Sequence, residues 1–264
     1  MDISKFYAIP GEKPLDHIPA DGGFCSCLRV IGCVGDSLSS GEFEAINAEG
    51  VKTYHDMFEY SWGQVMARMA GNTVYNFSRG GMTAKEYCES FAENNDYWNP
   101  AKACQAYIIA LGVNDLLNRG QPIGSTEDID LADWHNNKDT FAGWYGQIVQ
   151  RLKEIQPEAK FFFMTMPREN RDEEKTALQD AHAKLLYEFA EFFSNSYVLD
   201  LRRYGPVYDE EFKKHFYLGG HMNPMGYVLT GRMVTAYIDY IVRHNYKDFK
   251  QLGFMGTPYS YPEV

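Results

Sequence analysis

The sequence predicts an α/β domain with a doubly wound parallel sheet, because short apolar runs alternate with amphipathic segments along the chain. The apolar runs are rich in β-branched and aromatic residues on both sides of the pleat, which is typical of parallel strands covered by helices on both faces. The five predicted strands span residues 28–34, 73–77, 106–111, 160–165 and 197–201. Right-handed crossovers through the intervening helices are expected to connect them.

The amphipathic segments carry apolar residues three or four positions apart, which indicates helices that pack one face against the sheet. The chain contains four such stripes: Trp62, Val65, Met66 and Met69; Phe141, Tyr145, Ile148, Leu152 and Ile155; Leu178, Leu185, Phe189 and Phe192; and residues 227–241. Segment 118–139 is polar and turn-rich, so we predict a surface excursion there rather than a domain linker.

No linker divides the 264 residues, so we predict a single domain over residues 24–252. An N-terminal arm over residues 1–23 and a C-terminal tail over residues 253–264 contain glycine and proline and are expected to be irregular. Either flank could wrap around the domain or around a second copy of the chain. A homo-oligomer is therefore an open expectation.

Composition argues against several classes of protein. The 36 acidic residues outnumber the 25 basic ones, and this net charge of −11, without a basic run, makes nucleic acid an unexpected partner. No stretch of about 18 apolar residues is present, so no membrane span is predicted. The first residues lack the apolar segment of a signal peptide, so we expect a cytoplasmic protein, or a secreted one if a leader was removed. The five cysteines fit neither a disulfide framework nor a zinc site.

The candidate functional residues follow the predicted strands, where ligands bind in sheets of this kind. Ser37 comes directly after the first strand, which would place its hydroxyl at the sheet edge, although serine there is also a common helix cap. Gly80 and Gly81 follow the second strand, where they could let a backbone N–H approach a ligand or simply form a turn. Asn114 follows the third strand and could donate its amide to an oxyanion or cap a helix.

A histidine late in the chain completes this set. His221 lies in a loop directly after two glycines and ahead of the last predicted helix, which is not an apolar core position. A serine nucleophile needs a general base of this type. Together these residues supply a nucleophile, a base and oxyanion donors, which is the combination that acyl transfer requires.

The same residues, in the same order, resemble the four sequence blocks of the SGNH/GDSL hydrolase family. The blocks are Ser37 within GDSL, Gly81 five residues after Asn76, Asn114 within GVND, and His221, and the resemblance extends over residues 35–227. It implies a flavodoxin-like, three-layer α/β/α fold with five strands, and the hydrolysis of carboxylic esters without a cofactor or metal.

The resemblance also implies a role for each residue. Ser37 would attack the acyl carbon, and His221 would take its proton and later protonate the leaving alcohol. The oxyanion would be held by the backbone N–H groups of Ser37 and Gly81 and by the side chain of Asn114, with Gly80 as an alternative donor to Gly81.

The sequence departs from the family at one position. The family commonly has an aspartate three residues before the histidine, and here that residue is Leu218. We expect the backbone carbonyl of Leu218 to orient His221, with Asp200 or solvent as the alternatives, because a carbonyl can accept the Nδ1 proton without a charge. Asp200 could equally serve as a helix cap or as an ion-pair partner.

The predicted function is that of a serine esterase or deacylase acting on a small-molecule ester, with an acylated carbohydrate as one candidate substrate. Residues 41–56 and 118–139 are expected to face that substrate. An acyltransferase would use the same residues, so it remains an alternative. A non-catalytic flavodoxin-like binding module is a further alternative, which the carboxylate in the first turn and the absence of a phosphate-binding loop disfavour.

Overall fold

Five parallel strands form the centre of the computed structural model, which describes residues 7–169 and 172–262. Two short hairpins lie beside this sheet. The strands, in chain order, are β1 (Val30–Gly35), β2 (Glu42–Ile46), β3 (Lys52–Asp56), β4 (Thr73–Ser78), β5 (Ala106–Ala110), β6 (Lys160–Met164), β7 (Ser196–Leu199), β8 (Tyr217–Leu218) and β9 (His221–Met222).

The central sheet has the strand order β4-β1-β5-β6-β7, and every pairing within it is parallel. All five predicted strands are confirmed, each to within two residues at either end. In chain order, β4 is added on one side of β1, whereas β5, β6 and β7 are added on the other side. The direction in which strands are added therefore reverses between β1 and β5. Ligands bind at such a reversal point, beyond the carboxyl ends of the strands.

Helices cover both faces of the sheet, so the predicted three-layer α/β/α architecture is confirmed. They are α1 (Ser37–Ser40), α2 (Trp62–Ala70), α3 (Ala84–Glu86), α4 (Ala92–Asn94), α5 (Phe141–Ile155), α6 (Glu173–Phe192), α7 (Leu201–Tyr204), α8 (Glu210–Phe216) and α9 (Pro224–His244). A π-helical turn over Tyr87–Phe91 joins α3 to α4.

Alternate residues of the strands build two separate cores, because successive side chains of a strand point to opposite faces. Phe161 and Phe163 of β6 pack under α5 and α6. Phe162, which lies between them, packs on the other face with α2 and α9. The four predicted apolar stripes lie on these four helices, which are the long helices of the described chain.

The two hairpins were not predicted as strands. β2 and β3 pair in antiparallel register with Glu44 opposite Tyr54, and β8 and β9 pair Leu218 with His221. The β2–β3 hairpin is largely exposed, so its side chains do not show the apolar alternation that marks a strand packed on a core. It is, however, part of the segment expected to face the substrate.

The flanking segments contact the domain where they are described. Arg243 of α9 donates to the carbonyl of Tyr7 and pairs with Glu12, so the arm packs against this helix. Residues 1–6 of the predicted arm and residues 263–264 of the predicted tail lie outside the described residues. Segment 118–139 contains short 3-10 turns at Thr126–Asp128 and Trp134–Asn136. None of the helices in the described chain is long and apolar enough to cross a membrane.

Candidate active site

Ser37 is the first residue of α1, immediately beyond the carboxyl end of β1. Asp36 caps this turn by accepting a hydrogen bond from the N–H of Leu38 at 3.1 Å. The turn is tight, since a β-carbon at Gly35 would overlap the hydroxyl of Ser39. The hydroxyl of Ser37 has no hydrogen-bond partner among the described residues, which leaves it available to a ligand.

The structure brings four of the predicted site residues together. Ser37, Gly81, Asn114 and His221 all line one cavity of about 470 Å³ at the carboxyl end of the sheet. They come from the ends of three neighbouring strands and from the β8–β9 hairpin, so their convergence follows from the strand order.

Gly81 and Asn114 lie on the side of the cavity formed by β4 and β5. Gly81 has φ +71°, a left-handed conformation that favours glycine, and its N–H has no acceptor within the described chain. The amide nitrogen of Asn114 donates to the carbonyl of Met82 at 3.2 Å and lies 3.4 Å from Asp36 Oδ2. The neighbouring Gly80, the alternative donor, lies against Glu42, because a β-carbon there would overlap the Glu42 carboxylate.

The imidazole of His221 lies between two carboxylates of β2. Its Nδ1 is 2.9 Å from Glu44 Oε1, and its Nε2 is 3.0 Å from Glu42 Oε1. The ring of Tyr54 on β3 meets the imidazole edge-on, with 5.8 Å between the ring centroids. Alternate residues of a strand share one face, which is why Glu42 and Glu44 both reach the same side chain.

In the described chain, Nδ1 of His221 is hydrogen-bonded to neither of the residues expected to orient it. Leu218 pairs with His221 along the hairpin, but Nδ1 of the imidazole contacts Glu44 instead of the Leu218 carbonyl. Asp200 caps α7, where its carboxylate accepts hydrogen bonds from the N–H of Arg203 at 2.9 Å and from the hydroxyls of Thr165 and Tyr187. Its alternative role as a cap is therefore the one seen here.

Sequence reasoning missed Glu44, although the two glycines before His221 carried a signal. A β-carbon at Gly219 or Gly220 would overlap the Glu44 carboxylate, and the N–H of Gly220 donates to Glu44 Oε1 at 2.9 Å. The glycine pair thus forms a cradle for a carboxylate. Because that carboxylate lies 177 residues away in the sequence, the local pattern could not identify it.

The carboxylates around the site differ in their electrostatics. The pKa of Glu44 is lowered to about 2, chiefly by the hydrogen bond from Lys52. Burial acts in the opposite direction, and the hydrogen bonds from His221 and Gly220 lower the pKa further. Burial raises the pKa of Glu42, with His221 opposing the change. Burial also raises the pKa of Asp36 to about 6.

The family of the chain is established by its sequence. Residues 33–229 match the model of the GDSL-like lipase/acylhydrolase family. This match covers most of the chain, and the protein belongs to that family, in which a serine nucleophile is typical. The family resemblance inferred from the four blocks is thereby confirmed, and the chain is a member of a family of ester hydrolases.

Solved structures with the same fold include carbohydrate esterases. A family 2 carbohydrate esterase with a carbohydrate binding domain, from Corynascus thermopiles (Myceliophthora fergusii), has a TM-score of 0.56 and 15% identity over 81% of this chain and 66% of that chain. A family 3 carbohydrate esterase from Clostridium thermocellum has a TM-score of 0.53 and 16% identity, covering 82% of this chain and 98% of that chain.

A carbohydrate acetylesterase from Sinorhizobium meliloti has a TM-score of 0.51 and 14% identity, covering 81% of this chain and 99% of that chain. At these identities the likeness shows a shared fold. A comparison with curated protein sequences gives no match.

Proposed function

We propose that the protein hydrolyses a carboxylic ester through an acyl-enzyme formed on Ser37, with His221 as the general base. The observation that carries this proposal is the convergence of Ser37, Gly81, Asn114 and His221 on one cavity. Nucleophile, base and oxyanion donors are the parts that acyl transfer requires, and here they face a single space.

The reaction proceeds in two halves. In the first, Ser37 Oγ attacks the acyl carbon while Nε2 of His221 takes the serine proton, and collapse of the intermediate transfers that proton to the departing alcohol. In the second, His221 takes a proton from water as the water attacks the acyl-enzyme, and the acid leaves as the proton returns to Ser37. The N–H groups of Ser37 and Gly81 and the amide of Asn114 stabilise the oxyanion in both halves.

Two groups must change partners before this chemistry begins. Nε2 of His221 faces Glu42 Oε1 at 3.0 Å, so the Glu42 carboxylate must move aside for Nε2 to reach the Ser37 hydroxyl. Asn114 must likewise turn its amide from the Met82 carbonyl toward the oxyanion. Entry of the substrate into the cavity supplies the competing contacts.

The space next to Ser37 suits a short acyl group. A small apolar recess of about 70 Å³ adjoins the main cavity and shares Leu38 and Val113 with it, which are the neighbours of Ser37 and Asn114 in the chain. Trp62, Met164 and Met222 line the recess. An acetyl group fits such a space better than a long acyl chain does.

The larger cavity suits a hydroxyl-rich alcohol. Its lining includes Glu42, Asn118 and Lys213, which offer hydrogen-bond donors and acceptors to such an alcohol. The fold shared with carbohydrate esterases agrees with an acetylated carbohydrate as the substrate. We therefore propose a carbohydrate deacetylase.

A kinetic comparison tests this proposal. Acetate release from a peracetylated monosaccharide and from para-nitrophenyl acetate is measured for the wild type and for Ser37→Ala, which removes only the hydroxyl. We expect turnover of both esters by the wild type and a loss of about 10⁴-fold or more in kcat for the variant. A folded variant with unchanged turnover would contradict the role of Ser37.

Product analysis separates hydrolysis from acyl transfer. With an acceptor sugar present, a hydrolase releases free acetate in proportion to the ester consumed. Acetylated acceptor in place of acetate would indicate an acyltransferase using the same residues.

A further inference from the structure

We propose that Glu44 of β2 is the positioning residue that orients His221, in the role that an aspartate three residues before the histidine commonly fills in the family. This inference rests on the proposed function, because it concerns the base of that reaction. It assigns the acid partner to a different structural element, the β2–β3 hairpin, which sequence inspection of the histidine block does not reveal.

The contact has the geometry that a base-orienting partner needs. Glu44 Oε1 lies 2.9 Å from Nδ1 of the imidazole and also accepts the N–H of Gly220 at 2.9 Å. An acceptor at Nδ1 keeps the proton on that nitrogen and leaves the lone pair of Nε2 free to act as a base. The Glu44 side chain is only 8% exposed, so water competes little for this bond.

The Glu44 carboxylate is itself held in place from the opposite side. Lys52 of β3 pairs with Glu44 Oε2 at 2.7 Å, while Oε1 faces the imidazole. The cradle formed by Gly219 and Gly220 lets the carboxylate approach the backbone more closely than any side chain at those positions would permit. The ion pair with Lys52 and the glycine cradle therefore both hold the carboxylate against Nδ1.

The charge of Glu44 persists over the pH range in which the histidine acts as a base. Hydrogen bonding from Lys52 is the largest cause of the low pKa of Glu44, which lies at about 2. An ionised carboxylate stabilises the imidazolium that forms as the serine proton is taken. A backbone carbonyl would orient the ring but would supply no such charge.

Other groups around the imidazole do not fill this role. Glu42 is on the opposite nitrogen, Nε2, which has to be free for the reaction. Asp36 lies ahead of α1 and caps that turn, and Tyr54 presents its ring edge. Glu42, Glu44 and Asp36 interact electrostatically with His221 and Tyr54 contacts its ring, while Glu169, Lys213 and Tyr217 line the same cavity.

The test compares Glu44→Ala and Glu44→Gln with Glu158→Gln, a matched loss of one carboxylate at an exposed position before β6, at the end of the sheet away from the site. We expect Glu44→Ala to lower kcat by at least about a hundredfold with KM changed less than about threefold, because orientation of the base affects the transition state more than binding. Glu158→Gln should retain wild-type kinetics.

The pH dependence of kcat/KM distinguishes a positioning role of Glu44 from a purely structural one, because a structural role would leave this dependence unchanged. Glutamine keeps an acceptor oxygen for Nδ1 but removes the negative charge, so it favours the imidazolium less. We expect the acid limb of kcat/KM in Glu44→Gln to move to lower pH than in the wild type. Circular dichroism confirms that each variant is folded, and Glu44→Gln, which is nearly isosteric, keeps the test informative if Glu44→Ala does not fold.

A spectroscopic measurement makes the inference independent of the proposed function. A histidine Nδ1 proton bonded to a carboxylate gives a strongly downfield proton resonance, which we expect in the wild type and in Ser37→Ala but not in Glu44→Ala. Wild-type kinetics with an unmoved pH profile in folded Glu44 variants, or an unchanged downfield signal, would overturn the inference. Absence of esterase activity in the wild type would instead contradict the proposed function, and the downfield signal would still decide the Glu44–His221 pairing.

Discussion

The imidazole of His221 contacts two carboxylates that come from a hairpin 177 residues earlier in the chain. Glu44 on Nδ1 is fixed by Lys52 and by the glycine cradle. Glu42 on Nε2 is half-buried, and burial raises its pKa, so it is the easier of the two to displace. The proposed mechanism therefore keeps the Glu44 carboxylate on Nδ1 and requires the Glu42 carboxylate to leave Nε2.

Asp115, next to Asn114, provides a test of the electrostatics at this scale. Its Oδ1 accepts the N–H of Ala84 at 2.7 Å, while its buried Oδ2 has no partner among the described residues. Burial raises the pKa of Asp115 to about 7 from an ordinary value of 3.8. The folded state therefore binds a proton that the unfolded state releases, and stability falls as the pH rises between those two values.

We expect Asp115→Asn to remove part of this pH dependence. The melting temperature of the variant relative to the wild type should increase between about pH 5 and about pH 8, because the wild type alone has to ionise a buried carboxyl. Differential scanning fluorimetry across this range measures the effect, with Glu49→Gln as an exposed control. A difference that is constant with pH would contradict the buried-acid interpretation.

The elements differ in how far they could be predicted. The five sheet strands and the long helices are buried on one or both faces, so their apolar patterns report their position in the core. The β2–β3 hairpin packs mainly on the site and carries Glu42 and Glu44 on one face instead of apolar residues. Its structure depends on contacts with the β8–β9 hairpin, and a single sequence does not reveal such distant contacts.

The candidate site divides in the same way. Ser37, Gly81 and Asn114 lie within four residues of the ends of neighbouring strands, so the position of the strands was enough to predict that they would meet. The partner of His221 was predicted from the local sequence, as Leu218 or Asp200, and the structure has Glu44 there instead. Local motifs therefore identify site residues that lie at the ends of strands. They do not identify a residue such as Glu44, which a distant element brings into contact with the site.

The glycine cradle can be tested at the scale of the β8–β9 element. A β-carbon at Gly220 would overlap Glu44 Oε1, so Gly220→Ala should push the carboxylate away from Nδ1. We expect kcat to fall by about tenfold or more, which corresponds to about 1.4 kcal/mol of transition-state stabilisation. Gly253→Ala is the matched control, since a β-carbon there meets no atom within 4 Å. Equal kcat values for the two variants would contradict the cradle.

For the molecule as a whole, the arm and the last helix are joined by a buried ionic cluster. Arg243 of α9 pairs with Asp239 at 2.8 Å and with Glu12 of the arm, and it also donates to the Tyr7 carbonyl. The side chains of Arg243 and Glu12 are 8% and 3% exposed. The N–H of Phe24 donates to Asp239 as well, so this cluster connects the arm, the start of the domain and α9.

Removal of Arg243 should therefore affect the stability of the whole molecule. Arg243→Ala leaves Asp239 buried without its cation and Glu12 with only the His244 imidazole beside it, and breaking a buried ion pair typically costs on the order of 3 kcal/mol. We expect urea unfolding to show a loss of this size. Arg232→Ala removes an exposed arginine of the same helix and should change the free energy of unfolding by less than about 0.5 kcal/mol. Similar losses in both variants would show that the cluster does not contribute as described.

Covalent labelling decides whether Ser37 is the nucleophile of an acyl-transfer site. The wild-type protein is treated with a fluorophosphonate, and the adduct is mapped by peptide mass spectrometry. We predict one modified serine, Ser37, with labelling abolished in Ser37→Ala and esterase activity lost in proportion to labelling. An adduct on another residue, or labelling that persists unchanged in Ser37→Ala, would rule out Ser37 as the nucleophile.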